Sequence, residues 1–129
     1  MLHIDIICVG KIKEQYLRDA ISEYSKRLSK YCSLKIIELS DEQVPNNLND
    51  SIAQNIKQTE SNNILSHIKK DSYVICLDLK GKQYTSEEFS KKIENISLNL
   101  NSHITFIIGG TLGMSNELLN RANELICFS

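Results

Sequence analysis

Apolar positions along the chain fall into short dense runs separated by longer amphipathic stretches. Leu2–Val9 is the first dense run, interrupted by Asp5 and ended by Gly10, and it predicts a strand. From about Lys13 to Tyr31 the period changes. Leu17, Ala20, Ile21, Tyr24, Leu28 and Tyr31 recur at spacings of three and four, the single stripe of an amphipathic helix, while Lys11, Arg18, Lys26 and Arg27 lie off it. Leu34–Leu39 predicts a second strand with Ile36, Ile37 and Leu39 as its apolar members. Ser40–Asp50 is polar, rich in asparagine and holds the only proline, Pro45, so it reads as a surface loop. A less regular helix follows from about Asp50 to Ile68, its apolar side made by Ile52, Ile56, Ile64, Leu65 and Ile68 and its middle weakened by Ser61, Asn62 and Asn63.

The second half repeats this alternation with clearer punctuation. Tyr73–Leu79 predicts a third strand, broken only by Asp78 and closed by Gly81. Thr85-Ser86-Glu87-Glu88 carries the S/T-x-x-E pattern of a capping box, so a helix starts there and runs to about Leu98 with Phe89, Ile93 and Ile96 inward. Ile104–Ile108 is a continuous β-branched and aromatic run, the mark of a strand covered on both faces. Gly109-Gly110-Thr111-Leu112-Gly113 then turns the chain, and Ser115 is placed to cap a short helix to about Asn123. Leu125–Phe128 predicts a fifth short strand.

Strand and helix in alternation predict an α/β fold. The expectation is a single Rossmann-like domain over residues 1–129, with a mostly parallel five-stranded sheet, helices on both faces and right-handed crossovers. In such folds ligands bind at the carboxyl edge of the sheet, and a strand, glycine turn and helix in succession make a common cradle there. A tight turn without a ligand is the alternative meaning of the same stretch.

Composition narrows the setting. With 129 residues the chain suits one domain, and its net charge of −1 leaves no overall footprint for nucleic acid. Basic residues outnumber acids only up to Lys35, a pattern that suits a solvated helix face. No apolar run approaches the roughly 20 residues of a bilayer span, and the start of the chain lacks the features of a signal peptide, which points to the cytoplasm. Cys8, Cys32, Cys76 and Cys127 are far apart and read as reduced thiols, three of them inside predicted strands. His3, His67 and His103 are equally scattered, so no metal site is expected.

Several stretches resemble one family when taken together. These are Ile6-Cys8-Val9-Gly10-Lys11, Tyr24 and Arg27-Leu28, Val74-Ile75-Cys76-Leu77-Asp78-Leu79-Lys80-Gly81-Lys82, Phe106-Ile107-Ile108-Gly109-Gly110, and Phe128-Ser129. In this order and spacing the chain resembles the bacterial large-subunit ribosomal RNA pseudouridine N-methyltransferases, small knotted members of the SPOUT class. The resemblance implies an S-adenosylmethionine-dependent enzyme that methylates a pseudouridine in the ribosomal RNA of assembled ribosomes and works as a homodimer. It implies that Leu77, Gly109, Gly110, Phe128 and Ser129 bind the cofactor. It assigns no catalytic residue here: Asp78 and Glu117 are carboxylates near the expected cleft, with capping and solvation as their ordinary roles.

The family continues past the equivalent of Phe128-Ser129 with a loop, a long helix and a basic, aromatic tail that threads the knot. This chain stops at Ser129. The expectation is a C-terminally shortened form, lacking the trefoil-knot segment and with impaired or no activity. A non-catalytic ligand- or RNA-binding remnant is the alternative, and an unrelated α/β enzyme that holds a phosphate at the glycine turn is a third reading. In a shortened form the apolar faces around Leu125, Ile126 and Phe128 are expected to be exposed or occupied by a partner chain.

Overall fold

Successive side chains of a strand point to opposite faces, so a run of apolar residues needs cover on both. β1 (Leu2–Val9) shows this directly: Ile4 and Ile6 enter one core cluster, Ile7 and Val9 the other. The computed structural model describes residues 2–10, 19, 22, 23, 26, 32–99 and 101–127. Within them β1, β2 (Cys32–Leu39), β3 (Tyr73–Gln83), β4 (His103–Ile108) and β5 (Glu124–Cys127) form one five-stranded sheet in the order β2-β1-β4-β3-β5. Every pairing is parallel. The helices are α1 (Asp50–His67), α2 (Ser86–Asn99) and α3 (Asn116–Arg121).

Each face has its own cover. Phe89, Ile93 and Ile96 of α2 pack on Ile4, Ile6, Ile75, Ile104, Phe106 and Ile126. Ile64 of α1 and Leu118 of α3 pack on Ile7, Val9, Val74, Cys76 and Ile107. Burying one such isoleucine contributes roughly 1.5–3 kcal/mol, so these two layers dominate the stability of the domain. The helix expected from about Lys13 to Tyr31 lies almost wholly outside the described residues; Asp19, Ser22, Glu23 and Lys26 within it are helical and exposed.

Local signals set the helix starts. The Glu88 N–H donates to Thr85 Oγ1 at 3.1 Å while the Thr85 N–H donates to Glu88 Oε1 at 2.9 Å, the reciprocal capping box expected from the sequence. These bonds hold the Glu88 carboxyl below its ordinary pKa. Asn49 caps α1 by accepting from the Ile52 N–H at 2.9 Å, and Ser115 caps α3 by accepting from the Leu118 N–H at 3.2 Å.

Two boundaries differ from expectation for tertiary reasons. β2 begins at Cys32 rather than Leu34 because its register with β1 runs back to Leu2. β3 does not stop at Leu79 but extends to Gln83, because it meets β5 twice: Ile126 is the register partner of both Leu77 and Lys82. Between these two contacts Gly81 lies directly against β5. A Cβ there would sit 2.5 Å from the Ile126 nitrogen and 2.6 Å from the Leu125 carbonyl carbon. Glycine is required by this approach, not by a turn. The crossing also overturns the expected exposure of Ile126. Ile126 is 1% exposed, held between Leu77 and Lys82 and packed on the α2 side of the sheet, while Leu125 is half-buried against the other. Phe128 lies outside the described residues.

Candidate functional site

A sheet with all strands parallel places all their carboxyl ends on one edge. Register identifies the neighbours: Ile108 pairs with Cys8 on one side and with Leu77 on the other, and Leu77 pairs in turn with Ile126. Gly10, Leu77, Gly109 and Cys127 therefore stand in a row along this edge, Leu77 being the last β3 residue paired with β4 before β3 runs on to Gln83. Of the residues expected to bind a ligand, Leu77, Gly109 and Gly110 are brought together here. Phe128 and Ser129 lie outside the described residues, and follow directly from Cys127 of the neighbouring strand. Leu77 is half-buried and packs on the Ile75–Phe106–Ile126 cluster together with Ile108, so it is both a strand residue and an apolar flank of the edge.

The glycine turn is a closed loop. Gly110 and Gly113 form an isolated bridge, with the Gly113 N–H donating to the Gly110 carbonyl at 3.0 Å. Gly113 takes a φ of 88°, in the left-handed region that residues with a Cβ avoid. Gly109 lies over the buried Met114. Past the turn, the Ser115 N–H donates to Ser61 Oγ at 2.9 Å in a buried bond, which ties the start of α3 to the middle of α1.

The residue beneath the turn is Glu60 of α1. A Cβ at Gly110 would be 2.6 Å from Glu60 Oε1, so the carboxylate occupies the space that any other residue at position 110 needs. Glu60 is 6% exposed. Its Oε2 accepts from the Glu42 N–H at 2.9 Å, which anchors the loop after β2. Its Oε1 has no hydrogen-bond partner among the described residues. The helix thus braces both the polar loop and the glycine turn through adjacent side chains, Glu60 and Ser61. Sequence reasoning missed them, treating Ser61 only as a weakness of the helix. The available signal was the row Ile52, Ile56, Glu60, Ile64, Ile68, in which a carboxylate takes one step of a spacing-four apolar stripe. A charge at a core position is more informative than any apolar residue there.

The other carboxylates of this edge have local partners. Asp78 Oδ1 accepts from the Lys80 N–H at 2.8 Å, within the irregular part of β3 where its register with β5 shifts. Glu117 Oε2 lies 3.5 Å from Gln58 Nε2, a weak exposed contact. At the amino end of β5, Glu124 accepts from Tyr84 OH at 2.7 Å and Tyr73 OH at 3.1 Å and pairs with Lys92 Nζ at 2.8 Å. Burial alone would raise its carboxyl pKa, but the bonds from Lys92, Tyr84 and Tyr73 outweigh burial and hold it below the ordinary value. Lys92 is raised in turn by Glu124. Burial pushes the Cys76 thiol up to about 12, with Asp78 adding to the effect. Among the described residues no three His, Cys, Asp or Glu side chains are grouped to hold a metal ion. No helix among them is long and apolar enough to cross a membrane.

Comparison with known proteins agrees with this architecture along the whole chain. A family model described as predicted SPOUT methyltransferase matches residues 2–129. A Clostridium botulinum (strain Hall) protein named ribosomal RNA large subunit methyltransferase H is 58% identical over 128 residues, which cover 99% of this chain and 80% of that protein. A Clostridium perfringens (strain SM101) protein named ribosomal RNA large subunit methyltransferase H 1 is 54% identical over the same extent.

Proposed function

Because the chain belongs to the SPOUT methyltransferase family, we propose that it transfers a methyl group from S-adenosylmethionine to a pseudouridine base of large-subunit ribosomal RNA. The observation that carries this reading is the match over 99% of the chain, at 58% identity, to a protein named as a ribosomal RNA large subunit methyltransferase. The carboxyl edge of the sheet supports it with a site of suitable chemistry. Leu77 is the apolar flank against which an adenine ring packs, and Gly109 and Gly110 let the backbone approach the nucleoside closely. Phe128 and Ser129, next in chain after Cys127, supply the facing wall in this reading.

When bound, the donor supplies an electrophilic methyl group on a sulfonium. The protein's part is to hold donor and acceptor nitrogen in line, and such positioning removes a large share of the barrier. The tie of the far end of the glycine turn to α1, through Ser61 and the Ser115 N–H, supplies rigidity beside the donor in this reading. No described side chain is assigned as the base that takes the proton of the acceptor nitrogen: Asp78 is engaged by Lys80 and Glu60 lies under the turn. In the same reading the protein is cytoplasmic, acts as a homodimer on assembled ribosomes and uses no metal.

The test is incorporation of labelled methyl from S-adenosylmethionine into ribosomes that lack this modification. Label on a large-subunit pseudouridine is the expected result. Donor binding without transfer would favour a non-catalytic ligand-binding protein instead, and preferential binding of a phosphorylated nucleotide would favour the phosphate reading of the glycine turn.

A further inference from the structure

Glu60 presents a problem that its surroundings do not solve. One oxygen is fixed by the Glu42 N–H, and the carboxylate is 94% removed from solvent, yet Oε1 has no hydrogen-bond partner among the described residues and faces Gly110. A buried acceptor left open is costly, more so when charged, and natural structures keep one mainly where function uses it. Oε1 is shut off from solvent, and Gly110 of the turn stands against it. Among the described residues the turn is therefore the neighbour placed to supply the partner.

One peptide unit of the turn is suited to supply it. The Gly110 carbonyl is committed to the Gly113 N–H, so the peptide between Gly110 and Thr111 is held. The preceding peptide joins Gly109 to Gly110; its N–H is held only by the weaker return half of the Gly110–Gly113 bridge, and glycine on both sides leaves its rotation little restricted. In a trans peptide the N–H and the C=O point opposite ways. Rotation that brings the Gly110 N–H onto Glu60 Oε1 turns the Gly109 carbonyl away from α1, toward the side of the turn on which Leu77 and the end of β5 lie.

We propose that Glu60 is a positioning residue for the methyl donor: its open oxygen captures the Gly110 N–H when the turn takes its ligand-bound form, and so aims the Gly109 carbonyl at an N–H or O–H of the adenosine. This rests on the donor reading above. Binding and turn geometry are then one equilibrium. The carboxylate gains its missing bond only in the bound form, and the differential stabilisation appears as donor affinity. Ser61 keeps the far end of the turn fixed through the Ser115 N–H, which confines the movement to the glycine pair.

Glu60→Gln separates this role from packing. The amide oxygen can keep the Glu42 N–H, and its NH2 then faces the turn, donor against donor. S-adenosylhomocysteine is the probe, with affinity read by calorimetry, folding by thermal melting and the Gly110 amide by NMR. The expected result is a melting temperature equal to or above wild type, since an unpaired buried charge is gone, with affinity about tenfold or more weaker. In wild type the Gly110 amide proton moves downfield on saturation with the probe, and in the variant it does not. Glu60→Ala, which removes the acceptor without placing a donor there, should show the same loss of the downfield shift. Unchanged affinity in Glu60→Gln, or the same Gly110 shift in the variants as in wild type, overturns the proposal. A wild-type chain that does not bind S-adenosylhomocysteine at all removes the donor reading itself, and this inference with it.

Discussion

The crossing of the chain over β5 can be tested with one methyl group. In Gly81→Ala the new Cβ would lie 2.5 Å from the Ile126 nitrogen and 2.6 Å from the carbonyl carbons of Ile126 and Leu125, about an ångström inside ordinary contact. The obstruction is backbone, and this backbone is poorly placed to yield. Ile126 is held by register to Leu77 on one contact and Lys82 on the other, and its side chain is 1% exposed in the core. Overpacking typically costs about 1–3 kcal/mol, and with a backbone obstruction the upper end is expected, about 3 kcal/mol. For a domain of this length each kcal/mol moves the melting temperature by roughly 3–4 °C, so the variant should melt about 10 °C below wild type in a far-UV circular dichroism scan. Gly113→Ala is the matched control: its Cβ meets nothing within 4 Å, and only the φ of 88° opposes it. That strain costs about 1–2 kcal/mol, a smaller shift. If Gly81→Ala melts within about 2 °C of wild type, or no lower than Gly113→Ala, then the close crossing at Gly81 is wrong.

Other expectations follow from single groups. Ser115→Ala removes the cap of α3 but keeps the Ser61 bond, which uses the Ser115 N–H; chemical denaturation should show a loss of about 1 kcal/mol. Glu124 has a folded-state pKa below its unfolded value, so its contribution is present above the unfolded pKa and is lost as pH falls through the folded value. Glu124→Gln should therefore be less stable than wild type at neutral pH, by about 1–2 kcal/mol after allowance for partial exposure, and the gap should close on acidification; a gap that stays constant with pH would refute the assignment. With its pKa pushed up to about 12 inside the sheet, the Cys76 thiol should react with an aromatic disulfide reagent only after unfolding, whereas fast reaction of native Cys76 in mass-mapped peptides would contradict its burial.

Much of the fold was legible because its signals are local. A strand with cover on both faces must be apolar throughout, and Ile104–Ile108 is; a helix needs its first N–H groups capped, and Thr85, Glu88 and Ser115 stand where the caps are formed. The glycine pair at 109–110 announced a close approach, and the structure supplies one, though from an unexpected direction. What comes close at Gly110 within the fold is the carboxylate of Glu60, fifty residues earlier in the chain. Nothing near either residue in sequence links them, since α1 and the turn meet only because β1 and β4 are neighbours in the sheet.

The same division runs through the whole molecule. The amino-acid sequence by itself determined the types and order of the five strands and of the three helices from Asp50 onward, the α/β class and the place of Gly109 just past β4, because these depend on periodicity and capping within a few residues. Only the tertiary structure decided strand order, the second contact of β3 with β5, and the reason for Gly81, because long-range register and close approach depend on which surfaces meet. It also decided that Glu60 is a buried charge beneath the glycine turn and not an exposed one on a helix. Burial of a charge is a property of its neighbours, and those neighbours are assembled by the sheet.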